Sequence, residues 1–157
     1  MIQVLMVCLG NICRSPMAEN VLRHKIQQAG LSQQIQVDSA GTAGYHIGEL
    51  AHPRTRETLQ KHAIPYSGTA RQFSKRDLEQ FDYVLAMDED NLNDIQRYPQ
   101  TAGTEIALFL SYANQADLLD ESEVPDPYYT GVYDYVYELV DKGSEAFLAY
   151  LRQKHQL

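Results

Sequence analysis

Cysteine is scarce in this chain: two in 157 residues, Cys8 and Cys13, both near its start. A disulfide framework of the kind that staples small secreted domains needs more, so that class is excluded and the two thiols become candidates for chemistry. Positive charge is also short, with 13 Lys and Arg against 21 Asp and Glu and a net charge of -8. That excludes a nucleic-acid footprint and an anionic membrane surface as partners, because both require clustered cations. It also means that the overall field does not attract a phosphorylated substrate, and any anion site must be local. No apolar run approaches the roughly 20 residues that a bilayer demands. The opening run, residues 2–7, lacks the basic flank and the cleavage site of a signal peptide, so a soluble cytoplasmic chain is expected. There is no internal repeat, low-complexity tract or linker, and 44% of the residues are hydrophobic. A single domain over residues 1–157 is expected, monomeric or weakly self-associating.

What is present is an alternation of strand-like and helix-like segments. Residues 2–7 are almost continuously apolar and suit a parallel strand buried on both faces. Ser15 reads as a helix N-cap and Pro16 as the first helical residue, leading into residues 17–29 with Met17, Val21, Leu22, Ile26 and Ala29 on one stripe. Gly30 reads as the stop. Residues 34–39, 81–87 and 105–110 supply three further strands, and 54–63 and 132–155 two further helices. The acidic segment 88–94 suits a helix start, and 40–53 and 111–131 read as long connections. In the last helix Val136, Leu139, Val140, Phe147 and Leu151 face inward. The expected fold is an α/β domain with a four-stranded parallel sheet, helices on both faces and a phosphate-binding loop after the first strand. Ligands in such sheets bind beyond the carboxyl ends of the strands, which brings residues far apart in sequence to one edge.

The first strand–helix turn carries an unusual density of reactive types, Cys8-Leu9-Gly10-Asn11-Ile12-Cys13-Arg14-Ser15. Glycine tolerates positive φ and asparagine visits the left-handed region more than most residues, so the turn can point its backbone N–H groups inward. Inward N–H groups beside a helix start form an anion cradle. A thiol facing those donors is stabilised as a thiolate, which makes Cys8 the candidate nucleophile. Arg14 can return a planar guanidinium to two oxygens of the same oxyanion. Ser15 can donate to the sulfur and stabilise it as a leaving group. The plainer reading is a buried cysteine in a tight turn, and the strand, Gly-Asn, Arg-Ser-Pro, helix context argues against it.

Cleavage of an aryl phosphate also requires an acid for the leaving oxygen. Asp126, stiffened between Pro125 and Pro127, is the best candidate, although Asp88, Asp120 and Asp134 are formal alternatives. The adjacent Tyr128 and Tyr129 offer aromatic walls for an aryl leaving group.

Taken together, Val-Cys-Leu-Gly-Asn-Ile-Cys-Arg-Ser-Pro-Met-Ala-Glu at 7–19, Asp38-Ser39-Ala40-Gly41-Thr42, Ala70-Arg71-Gln72, Phe81-Asp82-Tyr83-Val84-Leu85, Met87-Asp88-Glu89-Asp90-Asn91-Leu92 and Val124-Pro125-Asp126-Pro127-Tyr128-Tyr129 resemble the low-molecular-weight protein tyrosine phosphatases, in the family's order and over nearly the whole chain. The resemblance implies a protein-tyrosine phosphatase that needs neither cofactor nor metal. It implies that Cys8 forms a phosphocysteine, that Arg14 binds phosphate and that Asp126 acts as acid, then base. Leu9, Gly10, Asn11, Ile12, Cys13 and Ser15 would form the loop around the substrate, with Tyr45 at the pocket mouth and Tyr128 and Tyr129 opposite. Asn11 and Ser39 would hold the loop in shape. Ile12 stands where related arginine phosphatases have threonine, which suits an aryl phosphate. The resemblance also implies that Cys13 pairs with Cys8 under oxidation. Phosphotyrosine proteins would be the partners, and a tyrosine kinase is a further candidate partner. One departure stands out: many members have histidine two residues before Ala-Arg, where this chain has Gly68, which leads us to expect altered support of the thiolate.

Other functions fit less well. A thiol-dependent arsenate reductase needs a further cysteine near residues 80–90, and a phosphocysteine carrier has no use for Arg14 and an acid loop. A non-enzymatic phosphate or flavin module leaves Cys8, Arg14 and Asp126 unexplained together. Zinc lacks the further ligands it requires.

Overall fold

The computed structural model describes residues 1–100 and 103–157. Strand β1, Ile2–Cys8, is the hydrophobic opening run, and its alternating side chains serve two cores at once. Val4, Met6 and Cys8 face one core, while Leu5 and Val7 face the other. A strand buried on both sides belongs in the middle of a parallel sheet. β1 accordingly pairs with β2, Ile35–Gly41, on one side and with β3, Tyr83–Ala86, on the other, and β4, Glu105–Leu108, closes the sheet beyond β3. The order is β2-β1-β3-β4 and every pairing is parallel, as expected from the sequence.

Helices cover both faces. α1, Arg14–Gln28, and the long C-terminal helix α7, Tyr133–His155, pack on the first core, with Met17, Val21, Leu22 and Ile26 meeting Val136, Leu139, Val140, Phe147 and Leu151. α2, Pro53–Lys61, and the short α5, Ser111–Gln115, flank them on the same side. Phe73, Leu78 from the short helix α3, Asp77–Gln80, and Ile95 from α4, Glu89–Gln96, form the second core. Among the described residues no helix is long and apolar enough to cross a membrane.

Three local expectations are corrected. Ser15 does not cap α1: the helix starts at Arg14, its cap position is Cys13 and no side chain caps it, because the Ser15 hydroxyl is engaged with Cys8 and Asn11. The first helical N–H groups are thereby left open toward the loop. The third strand is shorter than 81–87, because Asp82 turns its carboxylate to the N–H of Gln3 and Asp88 leaves the sheet to cap α4. The 111–131 connection is not all loop, since it contains α5 and α6, Pro127–Thr130, the latter capped by Asp126. The expected stop at Gly30 is observed, with φ +72.

After β1 the chain moves to β2 on one side and returns to β3 on the other, so the order reverses at the end of β1 and opens a crevice there. β2 presses tightly against that crevice. Thr42 N–H donates to Cys8 O and Ala43 N–H to Leu9 O, both at 2.9 Å. A Cβ at Gly41 would stand 2.7 Å from Leu9 O and 3.1 Å from Asn11 N, which are backbone atoms that cannot swing aside. Gly41→Ala should therefore lower stability by about 1–3 kcal/mol through overpacking and weaken binding of inorganic phosphate. Thermal unfolding and phosphate titration check this, and an unchanged midpoint with unchanged affinity would refute it.

Candidate active site

Cys8 ends β1, and the chain wraps from it to Arg14. The wrap depends on Asn11, which takes the left-handed conformation at φ +57. Gly10 does not have a positive φ; its lack of a side chain makes room instead, since a Cβ there would lie 3.2 Å from the His46 ring.

The side chain of Asn11 is turned behind the loop. Its Nδ2 donates to Ser15 Oγ at 2.8 Å and to Ser39 Oγ at 2.9 Å, and its Oδ1 accepts the N–H of Arg71 at 3.0 Å. Because Arg71 N can only donate, this assigns oxygen and nitrogen of the amide without ambiguity. It also fixes the direction of every neighbouring bond. Ser39, having received one hydrogen, gives its own to Glu19, and Ser15 has its hydrogen free for Cys8 Sγ at 3.0 Å. The Asn11 N–H adds a second donor to the sulfur at 3.3 Å.

Ser15, Glu19 and Arg23 lie four residues apart on one stripe of α1 and extend the network along it. Glu19 is buried, and Arg23 binds it while also donating to Val37 O at 3.0 Å. Burial raises the Glu19 carboxyl above the usual carboxylate range, and the bonds from Ser39 and Arg23 partly offset this. Gly68 faces the same carboxylate, its Cβ direction pointing at Glu19 Oε2 from 3.5 Å, but with φ +114. The Gly68 side of the carboxylate carries no side chain, and Arg23 contacts it from the helix.

Arg14 is 3% exposed. Its Nη1 donates to Asp88 Oδ2 at 2.5 Å and to Val124 O at 3.0 Å, and its Nη2 stands 3.5 Å from Asp126 Oδ2. Burial works against its charge, yet Cys8, the hydrogen bond to Asp88 and the nearby carboxylates outweigh that, and its pKa is raised. Asp88 in turn caps α4, with Oδ1 accepting the N–H of Asn91 at 2.8 Å. One carboxylate therefore anchors the arginine to the end of β3.

Asp126 is held by the N–H of Tyr128 on Oδ1 at 3.0 Å, which leaves Oδ2 toward Arg14. It shares a pocket of about 230 Å³ with Cys8 and Arg14. Leu9, Gly10, Ile12 and Cys13 line its loop side, and Tyr45, Tyr128 and Tyr129 its mouth. Tyr45 is 75% exposed, and Tyr128 and Tyr129 meet edge to face. Of the loop, mouth and catalytic residues expected from sequence, Asn11, Ser15 and Ser39 do not line the pocket, their side chains lying behind the loop, and the alternative acids Asp88, Asp120 and Asp134 do not line it either.

Sequence reasoning missed several contributors. Asp88 was only one alternative acid, although its place directly after a parallel strand was a signal. His46 lines the pocket and pairs with Glu49. Glu19, a lone acid on a buried helix stripe, was legible in principle as a residue in need of partners. Among the described residues no group of three His, Cys, Asp or Glu is arranged to hold a metal ion.

The arrangement is that of a cysteine-based phosphate site at the switch point of a parallel sheet. The sequence matches the family described as Low molecular weight phosphotyrosine protein phosphatase over residues 3–157. A relative from Bacillus subtilis, the low molecular weight protein-tyrosine-phosphatase YfkJ, is 45% identical over 159 residues covering 100% of both chains. The human low molecular weight phosphotyrosine protein phosphatase is 43% identical over 150 residues, 92% of each. The crystal structure of YfkJ superposes with a TM-score of 0.92, covering 98% of this chain and 96% of that one. The chain belongs to the low-molecular-weight protein-tyrosine phosphatases.

The two thiols differ in environment. Burial pushes the Cys13 thiol up to about 11, with the Tyr133 hydrogen bond opposing and the charge of Cys8 adding to the shift. A raised pKa keeps Cys13 protonated at neutral pH, so iodoacetamide at pH 7 should alkylate Cys8 and spare Cys13, as read by peptide mass mapping. Labelling of Cys13 at the rate of a free thiol would contradict this.

Proposed function

We propose that the chain hydrolyses phosphotyrosine in proteins, and small aryl phosphates, by two displacements at phosphorus. The observation that carries the reading is that Cys8 Sγ, with two donors on it, shares one pocket with a buried guanidinium whose other side faces the free oxygen of Asp126.

The phosphoryl group enters with its oxygens on the loop N–H groups and Arg14, and Asp88 keeps the guanidinium plane in place. Oδ2 of Asp126, the oxygen not held by the Tyr128 N–H, serves as the acid. Cys8 thiolate attacks phosphorus, the S–P bond forms as the P–O bond to the tyrosine breaks, and Oδ2 passes its proton to the departing phenolic oxygen. In the second step Oδ2, now ionised, takes a proton from water as the water oxygen bonds phosphorus and the S–P bond breaks. The sulfur leaves as a thiolate onto Ser15 Oγ–H and Asn11 N–H. Inorganic phosphate is released.

Tyr45, Tyr128 and Tyr129 at the mouth suit an aromatic leaving group, and Ile12 offers an apolar wall rather than partners for a guanidinium. A chain with two cysteines suits the reducing cytoplasm, where a tyrosine kinase would supply the substrates.

Hydrolysis of a small aryl phosphate in excess chelator tests the reading. Cys8→Ser should abolish turnover, and Asp126→Asn should lower kcat by roughly 10²–10⁴ and steepen the dependence on leaving-group acidity, since the phenolate must then depart unprotonated. Full activity in Cys8→Ser, or turnover lost to chelator, would contradict it.

A further inference from the structure

A second cleft, of about 400 Å³, opens beside the catalytic pocket. Leu9 and Tyr45 line both, so the two spaces share one wall. The floor of the second cleft is Phe73, 4% exposed, and its far side is Tyr98, 36% exposed, whose ring meets Phe73 edge to face at 5.4 Å. Among the described residues the charges lining it are Asp94 and Arg97, which pair with each other at 3.3 Å. Tyr45, Phe73 and Tyr98 thus give the cleft aromatic faces, Thr42 and Ala43 complete its lining, and its one cation among the described residues is paired.

We propose that this cleft is a substrate-selecting subsite that takes an uncharged apolar side chain flanking the phosphotyrosine of a protein substrate. The proposal rests on the phosphatase reading given above and adds a second point of recognition to it. Three observations carry it. The cleft adjoins the catalytic pocket across the wall formed by Leu9 and Tyr45, and an extended peptide rises only about 3.3 Å per residue, so a residue flanking the phosphotyrosine lies within reach of it. Tyr45 and Tyr98 keep large faces in water, and rigid aromatic rings are the side chains that most often carry binding energy at interfaces. The charge pattern selects the chemistry: Arg97 is neutralised locally by Asp94, and the chain as a whole carries -8, so an acidic flank gains nothing here while an apolar one buries its surface.

Phosphotyrosine peptides differing only in the residues flanking the phosphotyrosine (Phe or Leu, Ala, Asp), compared with a small aryl phosphate, test the proposal. The parent should favour the Phe- or Leu-flanked peptide in kcat/KM by about tenfold over the Ala-flanked one, the scale set by burying one apolar side chain. Tyr98→Ala should remove that preference and leave turnover of the small aryl phosphate unchanged. Asp94→Asn, a surface change that frees Arg97, should raise kcat/KM for the Asp-flanked peptide specifically, and it gives a readout even if Tyr98→Ala proves unstable. A parent that turns over the aryl phosphate but does not distinguish the flanks, or a preference unmoved by both variants, would overturn the subsite. Failure of the parent on the aryl phosphate would instead refute the phosphatase reading itself.

Discussion

The left-handed backbone at Asn11 costs the chain about 1 kcal/mol or more, and it persists because one side-chain amide makes three hydrogen bonds at once. Two of these go to serines on different elements, Ser15 of α1 and Ser39 of β2, and the third to the backbone of Arg71, itself bonded to Gly41. The loop is thus tied to three parts of the fold before any ligand arrives. Because the amide donates both of its hydrogens to the serines, the polarity of the whole network is set, and Ser15 is left with a hydrogen for the sulfur. Loop shape and thiolate support are consequences of the same three bonds. The stripe Ser15, Glu19, Arg23 carries that arrangement into the helix, where removing one partner strands another in a buried setting.

The site solves an electrostatic problem that the composition poses. On the proposed function a chain with a net charge of -8 binds a dianion, and the cation available for it is one that burial would otherwise disfavour. Arg14 keeps its charge because Asp88 and the neighbouring Cys8 and Asp126 favour it, and Asp88 is itself held by the start of α4. The positive character is confined to the end of β1, where loop N–H groups, a helix start left uncapped by any side chain, and one guanidinium converge.

Much of this was legible from residue order because the sheet imposes simple demands. An apolar run that serves two cores reads as a central parallel strand, and the residues after it fall at the ligand edge. Cys8, Arg14 and the stiffened Asp126 could be picked out by chemistry and spacing. What could not be read were choices made by tertiary partners. Ser15 has every local mark of an N-cap, yet its hydroxyl goes to Cys8 and Asn11. Asp88 looks like a helix cap and is one, but the same carboxylate also pins Arg14 across 74 residues of sequence. Helix α3 escaped because its start depends on Asp77, which accepts from Ser74 N and from Arg71, a residue that local propensity does not know about. The resemblance leads us to expect a histidine where Gly68 stands, and that Gly68 faces the Glu19 carboxylate, which Arg23 contacts, is visible only once α1 is formed and docked.

The central claim is that the Asn11 amide holds the phosphate loop in its binding shape, and titration of inorganic phosphate into Asn11→Ala against the parent tests it most directly. With helical content retained by circular dichroism, the account predicts that affinity falls by about tenfold or more, since the variant leaves buried partners unmatched and strains the turn. Unchanged phosphate affinity in a folded Asn11→Ala protein would contradict it.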